Sequence, residues 1–176
     1  MAVLPLRYAP DDVLHRKTRR VKEIDGSIRK LVEDMIETMH ANNGVGIAAN
    51  QVGVPLRVTV IQLPDEEEVT VLINPEVVRR EGEREVEEGC LSIPGYQGRV
   101  RRSVKVRVRA QDLEGKTFRI KAENDLLAQA LEHETDHLNG FLYISRLTEK
   151  DALWKVPRED EEEEAEPAVA EASNGE

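Results

Sequence analysis

Two histidines lie four residues apart in the segment His133-Glu134-Thr135-Asp136-His137. Residues four apart share one face of a helix, so both imidazoles can reach a single metal ion. Glu134, beside the first histidine, can relay a proton from a water bound to that ion. The alternative is an amphipathic helix with two surface histidines, because short motifs also arise by chance.

The predicted helix around this motif favours the metal interpretation. Its other positions form two neighbouring apolar stripes, which the two histidines and Glu134 continue: Leu126 with Ala130, and Leu127 with Leu131 and Leu138. Polar groups on a core-facing stripe are costly unless they have strong partners. A metal ion and its bound water would be such partners.

Two histidines do not complete a metal site, and the sequence offers few third ligands. The extended peptidase pattern H-E-x-x-H-x-x-G-x-x-H fails, because Tyr143 stands where its last histidine belongs. An HExxH zinc peptidase of another class uses a downstream glutamate as its third ligand. Here only Glu149 and Glu159 could serve, and neither is well placed on a helix. The only cysteine, Cys90, follows Gly89; free cysteines are commonly core residues. Together with two histidines, however, Cys90 would leave one position open for water, as in catalytic sites.

Two helices and several short strands are expected to position these residues. The first helix begins at Ser27 as N-cap, and the second begins at Asn124 and runs to about Asn139. Alternating or β-branched runs predict strands at 57–61, 69–73, 85–88, 100–108 and 118–121, with a hairpin turn at 112–116. This pattern favours an α+β fold, in which mixed or antiparallel sheets pack around a central metal-binding helix in a single domain.

Composition separates the end of the chain from the rest. The chain has 176 residues and a net charge of -10, but residues 159–176 hold nine acids and no bases. Subtracting these nine from 35 acids leaves 26, against 25 bases. We therefore expect a catalytic domain at 1–158 and a disordered acidic tail at 159–176.

The single cysteine excludes an intrachain disulfide, and no apolar run approaches the ~20 residues of a membrane span. These features predict a cytoplasmic protein with no membrane partner. We also expect no DNA partner.

Three segments, taken together, resemble the peptide deformylase family. They are GVGIAANQ at 44–51, EGCLS at 88–92 and HETDHL at 133–138, which match the patterns G-x-G-[LI]-A-A-x-Q, E-G-C-L-S and H-E-x-D-H-L. The similarity extends from about residue 6 to about residue 147. The resemblance implies a hydrolase that removes the N-terminal formyl group from the initiator methionine of newly made polypeptides and releases formate.

The resemblance also implies a role for each matching residue. The metal ligands would be Cys90, His133 and His137. Glu134 would carry the proton, while the Gln51 side chain and the Leu91 backbone N–H would stabilise the formyl oxygen. The spacing alone suggests zinc, whereas the family resemblance implies ferrous iron, with zinc in some members.

Substrate binding would involve the glycine-rich loop, the residue before the cysteine and the start of the second helix. The residues concerned are Val45, Gly46, Gly89, Leu126, Gln129 and Ala130. The backbone near Val45 and Gly46 would pair with the substrate peptide as an added strand. The methionine side chain would occupy an apolar pocket on the helix.

A run of alternating cations suggests a further partner. The positions are Arg99, Arg101, Lys105, Arg107 and Arg109. If strand 100–108 is regular, all five share one face. The simplest interpretation is an ordinary solvated sheet face. The alternative is a surface that contacts ribosomal RNA.

Overall fold

Two antiparallel sheets surround one buried helix in the computed structural model, which describes residues 1–157. The elements, in chain order, are α1 (Gly26–Ala41), β1 (Gly46–Ala48), β2 (Val58–Ile61), β3 (Thr70–Glu81), β4 (Arg84–Cys90), β5 (Ile93–Arg102), β6 (Lys105–Gln111), β7 (Thr117–Glu123), α2 (Leu126–Leu138) and β8 (Leu153–Lys155). The predicted acidic tail at 159–176 lies outside the described residues.

The larger sheet has the strand order β1-β2-β3-β6-β7, and the smaller sheet has the order β4-β5-β8. Every pair of neighbouring strands is antiparallel. The α+β fold expected from the sequence is therefore confirmed. In residues 1–157, no helix combines the length and the apolar character needed to cross a membrane.

The cap of α1 lies two residues before the predicted one, and the cap of α2 lies one residue after it. The Asp25 side chain accepts hydrogen bonds from the N–H groups of Ser27 and Ile28, so Asp25 caps α1 in place of Ser27. Asp125 caps α2 by accepting from Ala128 N at 2.8 Å, because Asn124 adopts a left-handed conformation with φ 50°. A carboxylate at either position satisfies N–H groups that have no partner inside the helix.

Two apolar clusters hold the helices against the larger sheet. One joins α1 to β1 and β2, with Met35, Met39 and Val60 at its centre. The other joins α2 to β3, β6 and β7 through residues that include Val108 and Leu131. The alternation of buried and exposed residues in β6 therefore turns its valines towards α2.

The predicted strand 100–108 is wrong, because it is two strands in two different sheets. Ser103 and Val104 separate β5 from β6. Arg102 ends β5 on the same buried face as Val100, with a side chain that is 2% exposed and bonds to two carboxylates. The break comes at Ser103, whose N–H and hydroxyl bond to Glu132 of α2 instead of to a neighbouring strand. Arg99 and Arg101 consequently lie in the smaller sheet, apart from the three other cations of the predicted stripe.

The hairpin predicted at 112–116 is present between β6 and β7. The Asp112 side chain accepts from the N–H groups of Glu114 and Lys116, and Gly115 provides the positive φ of the turn. This turn sets the pairing of the two strands, from Gln111 opposite Thr117 to Lys105 opposite Glu123.

Candidate metal centre

The structure brings the three predicted metal ligands together. His137 Nε2 lies 3.1 Å from His133 Nε2 and 3.2 Å from Cys90 Sγ. All three donor atoms lie within 4.8 Å of one another. The histidines are on consecutive turns of α2, and Cys90 is the last residue of β4.

The donor set fits a single transition-metal ion. Bonds of about 2.0–2.3 Å from one ion to sulfur and imidazole nitrogen bring such donors to within about 3–4 Å of each other. One thiolate and two imidazoles are donors that both zinc and iron accept. Burial and the facing His133 hold the pKa of His137 well below its usual value, which keeps that imidazole neutral and its lone pair available.

Glu134 lies beside the ligands and is almost fully buried. Its Oε1 is 4.0 Å from His133 Nε2, and its Oε2 is 3.4 Å from the Thr59 hydroxyl. Burial raises the pKa of Glu134 to about 7, although His133 and the Thr59 hydroxyl oppose the shift. A Cβ at Gly46 would lie 2.8 Å from Glu134 Oε1, so only glycine leaves room for the carboxylate there.

The Gln51 amide is held at the edge of the centre. Its Oε1 accepts from Ala48 N at 2.9 Å, and its Nε2 lies 3.1 Å from Ser92 Oγ and 3.6 Å from Cys90 Sγ. Leu91 follows Cys90 in the turn between β4 and β5. The amide and the Leu91 backbone therefore lie on the Cys90 side of the centre.

The predicted substrate-binding residues lie on α2 and at two strand edges beside it. Gly46 lies in β1, the edge strand of the larger sheet, and Val45 directly precedes it; Gly89 lies in β4, the edge strand of the smaller sheet. The Gln129 amide donates to Glu87 O in β4 at 3.0 Å, which fixes the side chain between the helix and the strand. Leu126, on the preceding turn of α2, is 41% exposed and Ala130 is buried.

A buried network that was not predicted from the sequence supports the first histidine. His133 Nδ1 lies 2.6 Å from Glu88 Oε2, so Nδ1 donates a proton to this carboxylate and Nε2 faces the other donor atoms. Arg102 donates to both Glu88 oxygens at 2.8 and 2.7 Å and to Asp136 at 2.7 Å. Burial acts to raise the pKa of Glu88, but its hydrogen bonds to Arg102 and the facing His133 outweigh burial and lower the pKa to about 2.

One signal in the sequence could have revealed this network. Arg101 and Arg102 are consecutive, which breaks the alternation of cations and valines and places one arginine on the buried face. Glu88 and Asp136 belong to the matched motifs, but the spacing alone does not show that an arginine joins them.

Tyr143 occupies the position at which an extended peptidase motif has its last histidine. Its ring stacks on His133 with centroids 6.4 Å apart, and it is 1% exposed. Cys90 supplies the third donor instead, so the geometry departs from that class of peptidase.

Comparisons with known proteins agree with this geometry. The sequence matches the family model for polypeptide deformylase over residues 3–152. It is 50% identical over 161 residues to the peptide deformylase of Dehalococcoides mccartyi strain CBDB1, and this match covers 92% of this chain and 96% of that protein. It is 46% identical over 144 residues to peptide deformylase 1 of Clostridium perfringens, covering 82% and 97%.

The fold is also similar to solved structures. The peptide deformylase of Legionella pneumophila superposes with a TM-score of 0.80 at 45% identity. The superposition covers 84% of this chain and 87% of the Legionella chain. On the sequence match and the shared fold, the chain belongs to the polypeptide deformylase family.

Proposed function

We propose that Cys90, His133 and His137 hold one ferrous ion and that Glu134 moves the proton when this chain removes formyl groups. Removal of the N-terminal formyl group from newly made polypeptides, with release of formate, is the activity of the family to which the chain belongs. The observation that carries these roles is the convergence of a thiol and two imidazoles within 4.8 Å, beside the Glu134 carboxylate.

A divalent ion held by these residues would lower the pKa of a water molecule towards ~7 and polarise the formyl carbonyl. The chain prepares the ligands for this task. Glu88 keeps the Nδ1 proton on His133, and Arg102 holds Glu88 in place through two hydrogen bonds. Cys90 would bind the ion as a thiolate.

Glu134 carries one proton through the reaction. Its carboxylate takes a proton from the water whose oxygen bonds to the formyl carbon. The same carboxyl group gives that proton to the amine nitrogen when the carbon–nitrogen bond breaks, which leaves formate and a free amino terminus. The Gln51 Nε2 and the Leu91 N–H donate hydrogen bonds to the formyl oxygen while it carries negative charge.

The substrate binds along the edge strand β1. An extended peptide adds to the free edge at Val45 and Gly46, and Gly89 of β4 borders it on the other side. The methionine side chain occupies the surface of α2 formed by Leu126, Gln129 and Ala130. Because the amide of Gln129 is tied to Glu87 O, this wall of the pocket is rigid.

Ferrous iron is proposed as the native ion, with zinc as the second choice. Iron(II) beside a thiolate is open to oxidation of the metal or of Cys90. Protein purified without air should therefore contain iron by elemental analysis and should lose activity in air, whereas zinc-loaded protein should not. Equal stability of the two forms in air would favour zinc.

We place the reaction in the cytoplasm and at the ribosome, because the substrates are polypeptides that are still newly made.

Formate release from a formyl-Met peptide tests the role of Glu134. Glu134→Gln keeps the shape of the side chain but removes the base, so it should retain the metal and lose at least ~10²-fold in rate. Glu132→Gln is the matched control, because Glu132 lies in the same helix and bonds to Ser103 on the other side. A near-normal rate in Glu134→Gln would remove Glu134 from the mechanism.

A further inference from the structure

The outer face of β3, β6 and β7 carries a dense set of cations. The strand register places Arg79, Arg107 and Lys121 directly beside one another in a row across three strands. The next row contains Glu76, Arg109 and Arg119. These side chains are exposed, while the alternate residues of β6 are buried towards α2.

A β-bulge completes the first of these rows. Val77 pairs with Val108 and Arg79 pairs with Arg107, so Val78 is an extra residue in β3. Without it, strand alternation would place Arg79 on the inner face with Val77. The bulge therefore turns Arg79 outward and Arg80 inward, where Arg80 bonds to Glu132 of α2 at 3.1 Å.

The cations of this face outnumber its acids. Ion pairs join Arg79 to Glu81, Lys105 to Glu123 and Arg109 to Glu76. Within residues 1–157, no carboxylate lies within ion-pair distance of Arg107, Arg119 or Lys121. Like charges directly opposite each other on neighbouring strands are destabilising. An external anion would remove this repulsion.

We propose that this face, which we call the basic sheet face (Arg79, Lys105, Arg107, Arg109, Arg119 and Lys121), binds the phosphate backbone of double-stranded RNA. The inference rests on the proposed function in one respect, since substrates that are still being made bring the chain to the ribosome, which is rich in RNA helices.

The chemistry of the face favours a regular phosphate backbone over bases. Its outward positions carry no aromatic side chain on which an unpaired base could stack. Its cations repeat about every 6.6 Å along a strand and about every 4.8 Å between strands. Such a flat array offers sequence-independent contacts to phosphates.

The position of the face is compatible with catalysis on the ribosome. Val106, Val108 and Ala110 form the other side of β6 and pack in the cluster that contains α2. The basic sheet face is thus on the far side of the sheet from the helix that carries His133. RNA bound there leaves the substrate cleft open.

Two arginines of the smaller sheet provide a matched comparison. Arg99 and Arg101 are equally exposed, but each has a carboxylate within 3.9 Å, from Glu87 and Glu83 respectively. They are near in sequence to the basic sheet face but lie in the other sheet. They should therefore contribute little to RNA binding.

Binding of the full chain to a labelled 20-base-pair RNA duplex, measured by fluorescence anisotropy over a series of salt concentrations, tests the proposal. The double variant Arg107→Glu with Lys121→Glu should weaken binding at least ~10-fold and reduce the log–log salt slope by about two, one unit for each lost phosphate contact. The control, Arg99→Glu with Arg101→Glu, should keep affinity and slope. Circular dichroism checks that both variants fold.

Four results would overturn the proposal. The first double variant could bind RNA as tightly as the wild type, or the control variant could lose as much affinity as the first. Poly-L-glutamate could compete as strongly as unlabelled RNA, or RNA binding could occur only after the chain is ended at Arg158. The third would indicate an acidic protein partner, and the fourth would indicate that residues 159–176 occupy the face. Formate release from a short formyl-Met peptide should stay normal in both variants. Loss of RNA binding alone therefore leaves the proposed function standing.

Discussion

The helix α2 has two buried polar sides that differ in how their groups are satisfied. On one side, Glu132 and Asp136 have partners within the chain: Arg80 and Ser103 bond to Glu132, and Arg102 bonds to Asp136. On the other side, His133 and His137 turn ring nitrogens towards each other and towards Cys90.

The first side of α2 therefore stabilises the fold, whereas the second side can bind a metal ion. A buried carboxylate with a guanidinium partner needs nothing from outside, so it stabilises the packing of the helix against β5. The buried donor atoms on the metal side have no such partner within the described chain, so they need an added cation. The two sides meet at Glu88, which bonds to Arg102 on one side and to His133 on the other.

The largest expected effect follows from removal of a donor on the metal side. Cys90→Ala, His133→Ala and His137→Ala should each lower bound metal well below one ion per chain and reduce formate release at least ~10³-fold, because a metal contributes several kcal/mol to catalysis. Elemental analysis after desalting measures the metal. Glu132→Gln, from the opposite side, should keep full occupancy. Full occupancy in any of the three alanine variants would remove that residue from the centre.

A second prediction concerns the stability provided by the ion-pair side. Arg102→Met leaves the buried Glu88 without a guanidinium partner and Asp136 with Arg146 alone, so the free energy of unfolding should fall by about 3–5 kcal/mol. Arg80→Met should cost less than ~1 kcal/mol, because Arg80 is half-exposed and Ser103 still bonds to Glu132. Urea unfolding of the metal-free proteins measures both. Equal losses of stability in the two variants would mean that the buried Arg102 contributes no more to stability than the half-exposed Arg80.

The smallest effect is expected from pH, acting through the group shared by the two sides. The pKa of Glu88 is lowered from 4.5 to about 2 in the folded chain. Its stabilising effect is therefore complete above the unfolded pKa and is lost as the pH falls towards 2. In metal-free protein, the stability advantage of wild type over Glu88→Gln should shrink by about 2 kcal/mol between about pH 5 and about pH 3. A stability difference between wild type and Glu88→Gln that stays constant over this range would show that the partners of Glu88 do not lower its pKa.

Local signals in the sequence were sufficient for most elements of the fold. The apolar stripes predicted both helices, and the DLEGK turn between β6 and β7 was correctly predicted. The failures occurred where a side chain beyond the local pattern decided the outcome. Two residues separate β5 from β6, because the N–H of Ser103 bonds to Glu132 of α2 instead of to a neighbouring strand. The predicted five-cation stripe was divided between two sheets for the same reason.

The sequence by itself determined that His133 and His137 share a helix face with Glu134 beside them, because spacing of four residues is a local property of the helix. Resemblance in three short segments also determined the family. The resemblance named Cys90 as the third ligand, but only the tertiary structure shows how it reaches the histidines, since Cys90 is 47 residues from His137 and lies at the end of β4, which pairs with β5. The tertiary structure also decided which cations share a face, because the strand register across β3, β6 and β7 depends on a bulge and on contacts with α2.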